Sequence, residues 1–380
     1  MHQHWTLEPG ITFLNHGSFG ACPAPILAEQ SRLRAQLEAN PMRFMVREQE
    51  ALLDAALHAL GTFLGAASAD LAFVPNATAG VNAVLRSLPF EPGDEILTTD
   101  HLYPACRNTI DYVAARTGAR VVVARVSFPL ENSSEIIKPI LDAASPRTRL
   151  AVLDHVSSPT ALVFPVEDLV LALAARGIDT LVDGAHAPGM LPLDLDALGA
   201  AYYVGNCHKW LCAPKGAGFL HVRPDRQAAL VPVSISHGAT SARTDKSRYR
   251  LLFDWTGTTD PTPALCVPAA LRFMGGLLPQ GWPGVMRANR ALALQARDLL
   301  CKSLGVAPPA PAEMLGSMTS LLLPAATVDL DTLWREEGIE VAVFDWKNRP
   351  ARILRVSAQL YNSPADLEKL DACLRRLYCI

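Results

Sequence analysis

A lysine placed just after a strand, among small polar groups, can be held as a reactive amine, and Lys209 has that setting. It lies in Asn206-Cys207-His208-Lys209-Trp210-Leu211, entered from Ala201-Tyr202-Tyr203-Val204-Gly205 and left through Pro214-Lys215-Gly216-Ala217-Gly218-Phe219-Leu220. Upstream, the apolar run Thr180-Leu181-Val182 delivers Asp183-Gly184-Ala185-His186-Ala187-Pro188-Gly189, a carboxylate and an imidazole on a turn after another strand. An amine can form a Schiff base with an aldehyde, and an acid can pair with a pyridinium nitrogen. Lys209, Asp183 and His186, the last placed to hydrogen-bond a ring oxygen, are together the parts needed to hold pyridoxal phosphate. Alone, each has a plainer reading: a surface lysine, a helix N-cap and a satisfied interior histidine.

Other segments could complete such a site. Asn76-Ala77-Thr78-Ala79-Gly80 opens the periodic segment Val81 to Leu88, and a small-residue turn at a helix start offers N–H groups and positive dipole to a phosphate. Tyr103, in Thr98-Thr99-Asp100-His101-Leu102-Tyr103-Pro104, could stack on a planar ring. Arg355, on the strand-like Arg352-Ile353-Leu354-Arg355-Val356-Ser357, has the planar fork that suits an α-carboxylate. Asn15-His16-Gly17-Ser18-Phe19-Gly20 looks like a glycine-supported loop carrying Asn15 and its neighbours to a site. The basic run Arg243, Lys246, Arg248 and Arg250 could receive an acidic substrate tail, although such runs are usually solvated faces.

The elements that must position these groups follow from the remaining pattern. The chain has 380 residues, half of them hydrophobic, with a net charge of −3. Its basic residues are scattered among acidic ones, so no nucleic-acid footprint is expected. Without a leader-like N-terminus or a membrane-length apolar run, a cytoplasmic protein is expected. Eight cysteines, at 22, 106, 207, 212, 266, 301, 373 and 379, form no C-x-x-C pair; reduced structural thiols and no metal site are the reading. No Walker-type, G-x-S-x-G or H-E-x-x-H motif competes.

Helical periodicity runs from about Pro25 to Leu64, interrupted at Asn40-Pro41. Strand candidates at Ile96-Leu97, Val121-Val123 and Leu150-Leu153 then alternate with helix candidates from Pro104, near Ile136 and from Val166. Strands with little polar alternation, each followed by a helix, predict an α/β fold with a mostly parallel sheet sandwiched by helices. Beyond the turn cluster near Thr256 to Pro261, two long helical patterns and short strands around Leu321 and Ile353 predict a smaller C-terminal α+β domain. The expected division is a large cofactor-binding domain over 1–260 and a small domain over 261–380, with the N-terminal segment able to pack on the small one.

Leu14-Asn15-His16-Gly17-Ser18-Phe19-Gly20, the Asp183 and Lys209 motifs, and Phe253-Asp254-Trp255-Thr256-Gly257-Thr258 together resemble the class V aminotransferase family of fold type I pyridoxal-phosphate enzymes, particularly its isopenicillin N epimerase-like branch. The resemblance implies Lys209 as the Schiff-base lysine, Asp183 at the pyridine nitrogen, His186 near the ring oxygen and Tyr103 stacked on the ring. It implies phosphate contacts from Ala77, Thr78, Asn206 and His208. It also implies a homodimer in which Thr258 reaches the partner's phosphate, and Arg355 as the carboxylate-binding arginine. Cysteine desulfurases of the family carry a nucleophilic cysteine shortly before that arginine, whereas this chain has none between Cys301 and Cys373. The implied activity is chemistry at the α-carbon of an amino acid, a small-molecule substrate. Epimerisation, transamination and a C–S lyase acting on a sulfur-containing amino acid all remain open, as does a homodimer that binds pyridoxal phosphate without turnover.

Overall fold

Apolar runs become strands wherever helices can cover them from both sides. After β1 (Thr12–Phe13), seven strands build one sheet: β2 (Leu71–Val74), β3 (Glu95–Thr99), β4 (Arg120–Ala124), β5 (Thr148–Asp154), β6 (Asp179–Gly184), β7 (Tyr202–Asn206) and β8 (Gly218–Val222). Their order is β2-β8-β7-β6-β5-β3-β4. The structure, a computed structural model, describes residues 1–324, 328–346 and 352–380.

Strands β7, β6, β5, β3 and β4 run parallel, while β8 is antiparallel to both its neighbours. The connections explain the difference. Helices Pro104–Thr117, Ser134–Ala143 and Val166–Ala174 return the chain for parallel pairing, but the turn from Cys207 to Ala217 contains no helix, so the chain must come back antiparallel.

Alternation along each strand feeds two cores. Leu150 and Val152 of β5, Leu181 of β6 and Val204 of β7 face helices Ala77–Ser87 and Pro104–Thr117. Ala151, Leu153, Val182 and Tyr203 face the opposite core, shared with Gln49–Leu64, Ser134–Ala143 and Val166–Ala174. Both faces are dry, which is why these strands read as continuous apolar runs.

The helical N-terminal region divides at Asn40-Pro41, with Ala24–Ala39 before it and Pro41–Arg43, a π-helical turn Phe44–Glu48 and Gln49–Leu64 after it. The pattern from Ala264 to Leu277 breaks into Thr262–Leu265 and Val267–Gly276; Pro268 lacks an N–H and fits only the first turn of the second helix. Four further strands follow: β9 (Met318–Leu322), β10 (Ile339–Glu340), β11 (Ala342–Asp345) and β12 (Arg352–Ser357). β11, β12 and β9 form an antiparallel sheet in that order. Helices Gly281–Leu304 and Pro364–Tyr378 bury Leu300, Leu370 and Leu374 against Leu321, Leu354 and Val356. β1 pairs with β10, and Ser357 N–H donates to the Leu14 carbonyl at 2.8 Å. Among the described residues no helix is long and apolar enough to cross a membrane.

That N-terminal pairing swings Asn15 to Gly20 over the turn that carries Lys209. Gly20 has φ 71°, and a Cβ there would fall 2.1 Å from the His208 carbonyl oxygen. Gly93 also has a left-handed φ, of 93°, with nothing within 4 Å. Gly93→Ala is therefore expected to cost only the backbone conformation, about 1–2 kcal/mol. Gly20→Ala should cost more and displace the Lys209 turn. Denaturant unfolding of both variants checks this, and equal losses would contradict the close approach.

Candidate active site

The period of two along a strand places three polar side chains on one face. Asp154 ends β5 in phase with Leu150 and Val152, Asp183 follows Leu181 in β6, and Asn206 ends β7 in phase with Tyr202 and Val204. Asp154 and Asp183 are register partners on adjacent parallel strands. Beyond these strand ends opens a cavity of about 370 Å³ whose wall includes Ala77, Thr78, Tyr103, Asp183, His186, Asn206, His208 and Lys209. Eight of the residues singled out in the sequence thus meet around one space.

Lys209 Nζ lies 3.1 Å from His186 Nε2. Burial, and then the charge of Arg355, push the amine down to about 7, against the opposing pull of Asp183. Burial also pushes His186 well below the usual histidine value, so its ring is neutral. Its Nδ1 is buried and has no hydrogen-bond partner among the described residues. The Lys209 backbone is fixed from the other side: its carbonyl accepts from His16 Nε2 at 3.0 Å, and His16 Nδ1 meets the Tyr361 hydroxyl at 3.0 Å. Burial brings His16 down to about 3, leaving a neutral ring that can donate on one side and accept on the other.

Asp183 is held by donors on both oxygens. Ala185 N–H donates to Oδ1 at 2.9 Å, and the Cys106 thiol donates to Oδ2 at 3.1 Å. Burial and the Asp183 charge push that thiol well above its usual value, which keeps its proton in place. Ala77 N–H, at the start of helix Ala77–Ser87, donates to Asn206 Oδ1 at 2.8 Å. His208 Nδ1 lies 3.0 Å from the Ala217 carbonyl, and burial brings the ring down to about 4. The imidazole is thus neutral, with Nδ1–H donating and Nε2 left as an acceptor.

Arg355 stands one layer back. It is 1% exposed, and its guanidinium donates to the Ser158 carbonyl at 2.6 Å, to Ser158 Oγ at 3.2 Å and to Ser18 Oγ at 3.0 Å. Ser18 in turn donates to Asn15 Oδ1 at 2.6 Å. Ser18 and Ser158 line the cavity, whereas Asn15 and Arg355 reach it through them. Burial pulls Arg355 down to about 10, so it stays charged at neutral pH. Thr258 lies on an exposed stretch of the same chain and does not line the cavity.

The site also contains Asp154 and Cys106, which no sequence motif singled out, and Ser18 of the Asn15–Gly20 loop. Asp154 and Ser18 line the cavity, and Cys106 supports Asp183 from inside the helix Pro104–Thr117. Asp154 carried a visible signal, since the run Leu150 to Leu153 delivers an acid as Leu181-Val182 does. Cys106 carried none. The basic run, by contrast, is spent on the fold. Arg243 pairs with Glu50 and Asp245, Lys246 with Asp54 and Asp254, and Arg250 with Asp54 and Asp254, while Arg248 donates to the Gly238 and Ala239 carbonyls. Its cations already have partners, which removes the basis for an acidic substrate tail there.

A family model described as Aminotransferase class-V matches residues 20–370. The isopenicillin N epimerase of Amycolatopsis lactamdurans is 38% identical, over 98% of this chain and 96% of that protein. An L-cysteine desulfhydrase of Arabidopsis thaliana is 26% identical, over 97% of this chain and 88% of its own length. The fold matches that of the cystine C–S lyase C-DES in complex with its reaction product cysteine persulfide, with a TM-score of 0.83 at 22% identity, covering 97% of this chain and 98% of that one.

The Lys209 amine titrates near 7 in the fold but at the usual 10.5 once unfolded. The unfolded chain therefore binds more protons between those values, and this group makes stability rise with pH across that window. In the ligand-free protein, capture of an added aldehyde should increase through about pH 7 and level off above it. Stopped-flow absorbance over a pH series measures this. A rise continuing toward 10 would show that the amine is not desolvated.

Proposed function

We propose that the chain, which belongs to the class V aminotransferase family and is a pyridoxal-phosphate-dependent enzyme, acts at the α-carbon of an amino acid in the manner of the isopenicillin N epimerase-like branch. The observation that carries this reading is the buried Lys209 amine, 3.1 Å from His186 Nε2 and within the field of Asp183. The wall fits the cofactor: the buried Nδ1 of His186 and Oδ2 of Asp154 have no protein partner, as expected of a pocket shaped for a polar planar group. When bound, pyridoxal phosphate supplies an aldehyde for the amino group and a protonated ring that draws electrons from the α-carbon.

The chain's residues supply the rest. Lys209 would hold the aldehyde carbon and, with its amine free, would serve as the base for the α-proton; a value near 7 suits both taking and returning a proton. Asp183, with one oxygen already oriented by Ala185, would hold the ring nitrogen, and His186 would hold the ring oxygen. Tyr103, half exposed at the mouth, would cover the ring. Ala77 and Thr78 at a helix start, with Asn206 and His208, receive the phosphate. Arg355, oriented by Ser158 and Ser18 with Asn15 behind, orients the substrate carboxylate.

The exposed Thr258 fits a role toward a second subunit, and we place the active site at a homodimer interface. Of the division into a large domain over 1–260 and a small one over 261–380, the separate core of the C-terminal sheet supports a second unit that Leu14 of the N-terminal segment joins, whereas Cys266, Val267, Ala270 and Leu271 pack in the core of the large one. Eight free thiols fit a reducing compartment such as the cytoplasm. A lyase acting on a sulfur-containing amino acid is the second reading, favoured by the full-length relation to an L-cysteine desulfhydrase.

Purified protein loaded with pyridoxal phosphate should absorb in the visible, and Lys209→Ala should lose the lysine-linked band and at least about 10³-fold of turnover. Amino acids incubated in heavy water should show α-deuterium and the inverted isomer. Released sulfide with keto acid would select the lyase reading, and an invariant spectrum with every amino acid would leave only a binder.

A further inference from the structure

Asp154 is a carboxyl group that the scheme above leaves without work. It is 2% exposed, lines the cavity at the end of β5, and its Oδ2 is buried with no hydrogen-bond partner among the described residues. A buried carboxylate oxygen with no donor is costly, whereas a buried O–H awaiting an acceptor from a ligand is an ordinary feature of a binding pocket.

Its neighbours favour the second state. Asp183 is the register partner on the adjacent strand, and the period of two sends both side chains to the same face. Asp183 accepts hydrogen bonds on both oxygens, from Ala185 N–H and the Cys106 thiol, so the negative charge belongs there. Two neighbouring buried carboxyls cannot both ionise cheaply, and the proton stays where no donor competes for the oxygen. Burial first, and then the Asp183 charge, push Asp154 well above the usual carboxylate range; the backbone N–H groups of Tyr103 and of Asp154 itself oppose this. The cations of the site work on other groups. Lys209 lies beside His186, and Arg355 is engaged by Ser158 and Ser18.

We propose that Asp154 is a positioning residue of this site, held as a neutral carboxylic acid that anchors the Tyr103 turn and presents its Oδ2–H to the bound ring, so that the acid pair carries one negative charge, on Asp183. The chemical class of ligand it serves is a planar heteroaromatic with an acceptor oxygen on its edge, since a protonated ring nitrogen donates and is given to Asp183. A second ionised carboxylate would raise the Lys209 amine and spoil its neutrality; a neutral acid keeps the donor without the charge. The role toward the ring rests on the cofactor reading above, but the protonation of Asp154 does not.

Infrared difference spectra of wild-type and Asp154→Asn protein at neutral pH, both ligand-free, should show a carboxylic-acid carbonyl band that is present in the wild type and lost in the variant. Lys209→Ala should keep it. In the aldehyde-capture titration, Asp154→Asn should leave the Lys209 midpoint in place, because one neutral group replaces another, whereas Asp183→Asn should lower it. Asp154→Ala should weaken retention of pyridoxal phosphate about tenfold, and Asn should recover most of that loss. A missing carbonyl band, or a midpoint that drops in Asp154→Asn as in Asp183→Asn, overturns the proposal. If the wild type takes up no pyridoxal phosphate, the cofactor reading fails on its own and the infrared band still reports on Asp154.

Discussion

An amine kept out of water beside a neutral imidazole is the constraint on which the rest of this structure depends. A protonated lysine in such a place would be costly, and a neutral one is both tolerable and reactive. The fold enforces the second state by burying Lys209, by letting the Arg355 charge act on it, and by placing Asp183 close enough to hold its value near 7 rather than lower. The turn that carries the lysine is clamped on both sides, by the His16 bond to its carbonyl and by Gly20 packed against His208. These clamps come from the N-terminal segment, which is itself held by pairing of β1 with β10 and by the Ser357 bond to Leu14. Stability of the C-terminal sheet is thereby tied to the position of a side chain at the far end of β7.

The second organising fact is the geometry of parallel strands. Side chains repeat every two residues, and helices on both faces leave only the strand ends open. Polar residues at the ends of β5, β6 and β7 therefore converge at one mouth, and their shared face decides which helices support them. Helix Pro104–Thr117 supplies the Cys106 thiol to Asp183, and helix Ala77–Ser87 supplies the Ala77 N–H to Asn206. A cysteine that is unremarkable in composition thus acts as a hydrogen-bond donor to the acid, and its buried thiol keeps its proton.

Charge elsewhere serves packing. Arg250 is nearly buried between Asp54 and Asp254, and Lys246 joins the same carboxylates, tying the helix Gln49–Leu64 to the segment around 243–254. The segment Phe253 to Thr258 leaves this network, which fixes where its exposed end begins. Beside the cavity the reverse holds. There Arg355 is oriented by Ser158 and Ser18 and has no acidic partner among the described residues, which leaves its charge for a ligand.

The sequence by itself determined the class of fold and which polar residues stand at the ends of its strands. Continuous apolar runs followed by helical periods require a covered parallel sheet, and Lys209, Asp183, His186 and Asn206 announce themselves as polar residues at the ends of such runs. The signal is local, so it could be read locally. It also contained Asp154, in the same position on a neighbouring run, but a single acid after a strand carries no weight until its neighbours are known. Only the tertiary structure decided that Asp154 and Asp183 are side by side, because strand order and register are set by which faces can be buried together. It alone placed Cys106 against Asp183 and Ser18 against Arg355, contacts between residues far apart in the chain. It also turned the basic run from a possible binding surface into a set of ion pairs within the fold, since the acids that engage it include Asp54, which lies on a different helix and is invisible to any local pattern.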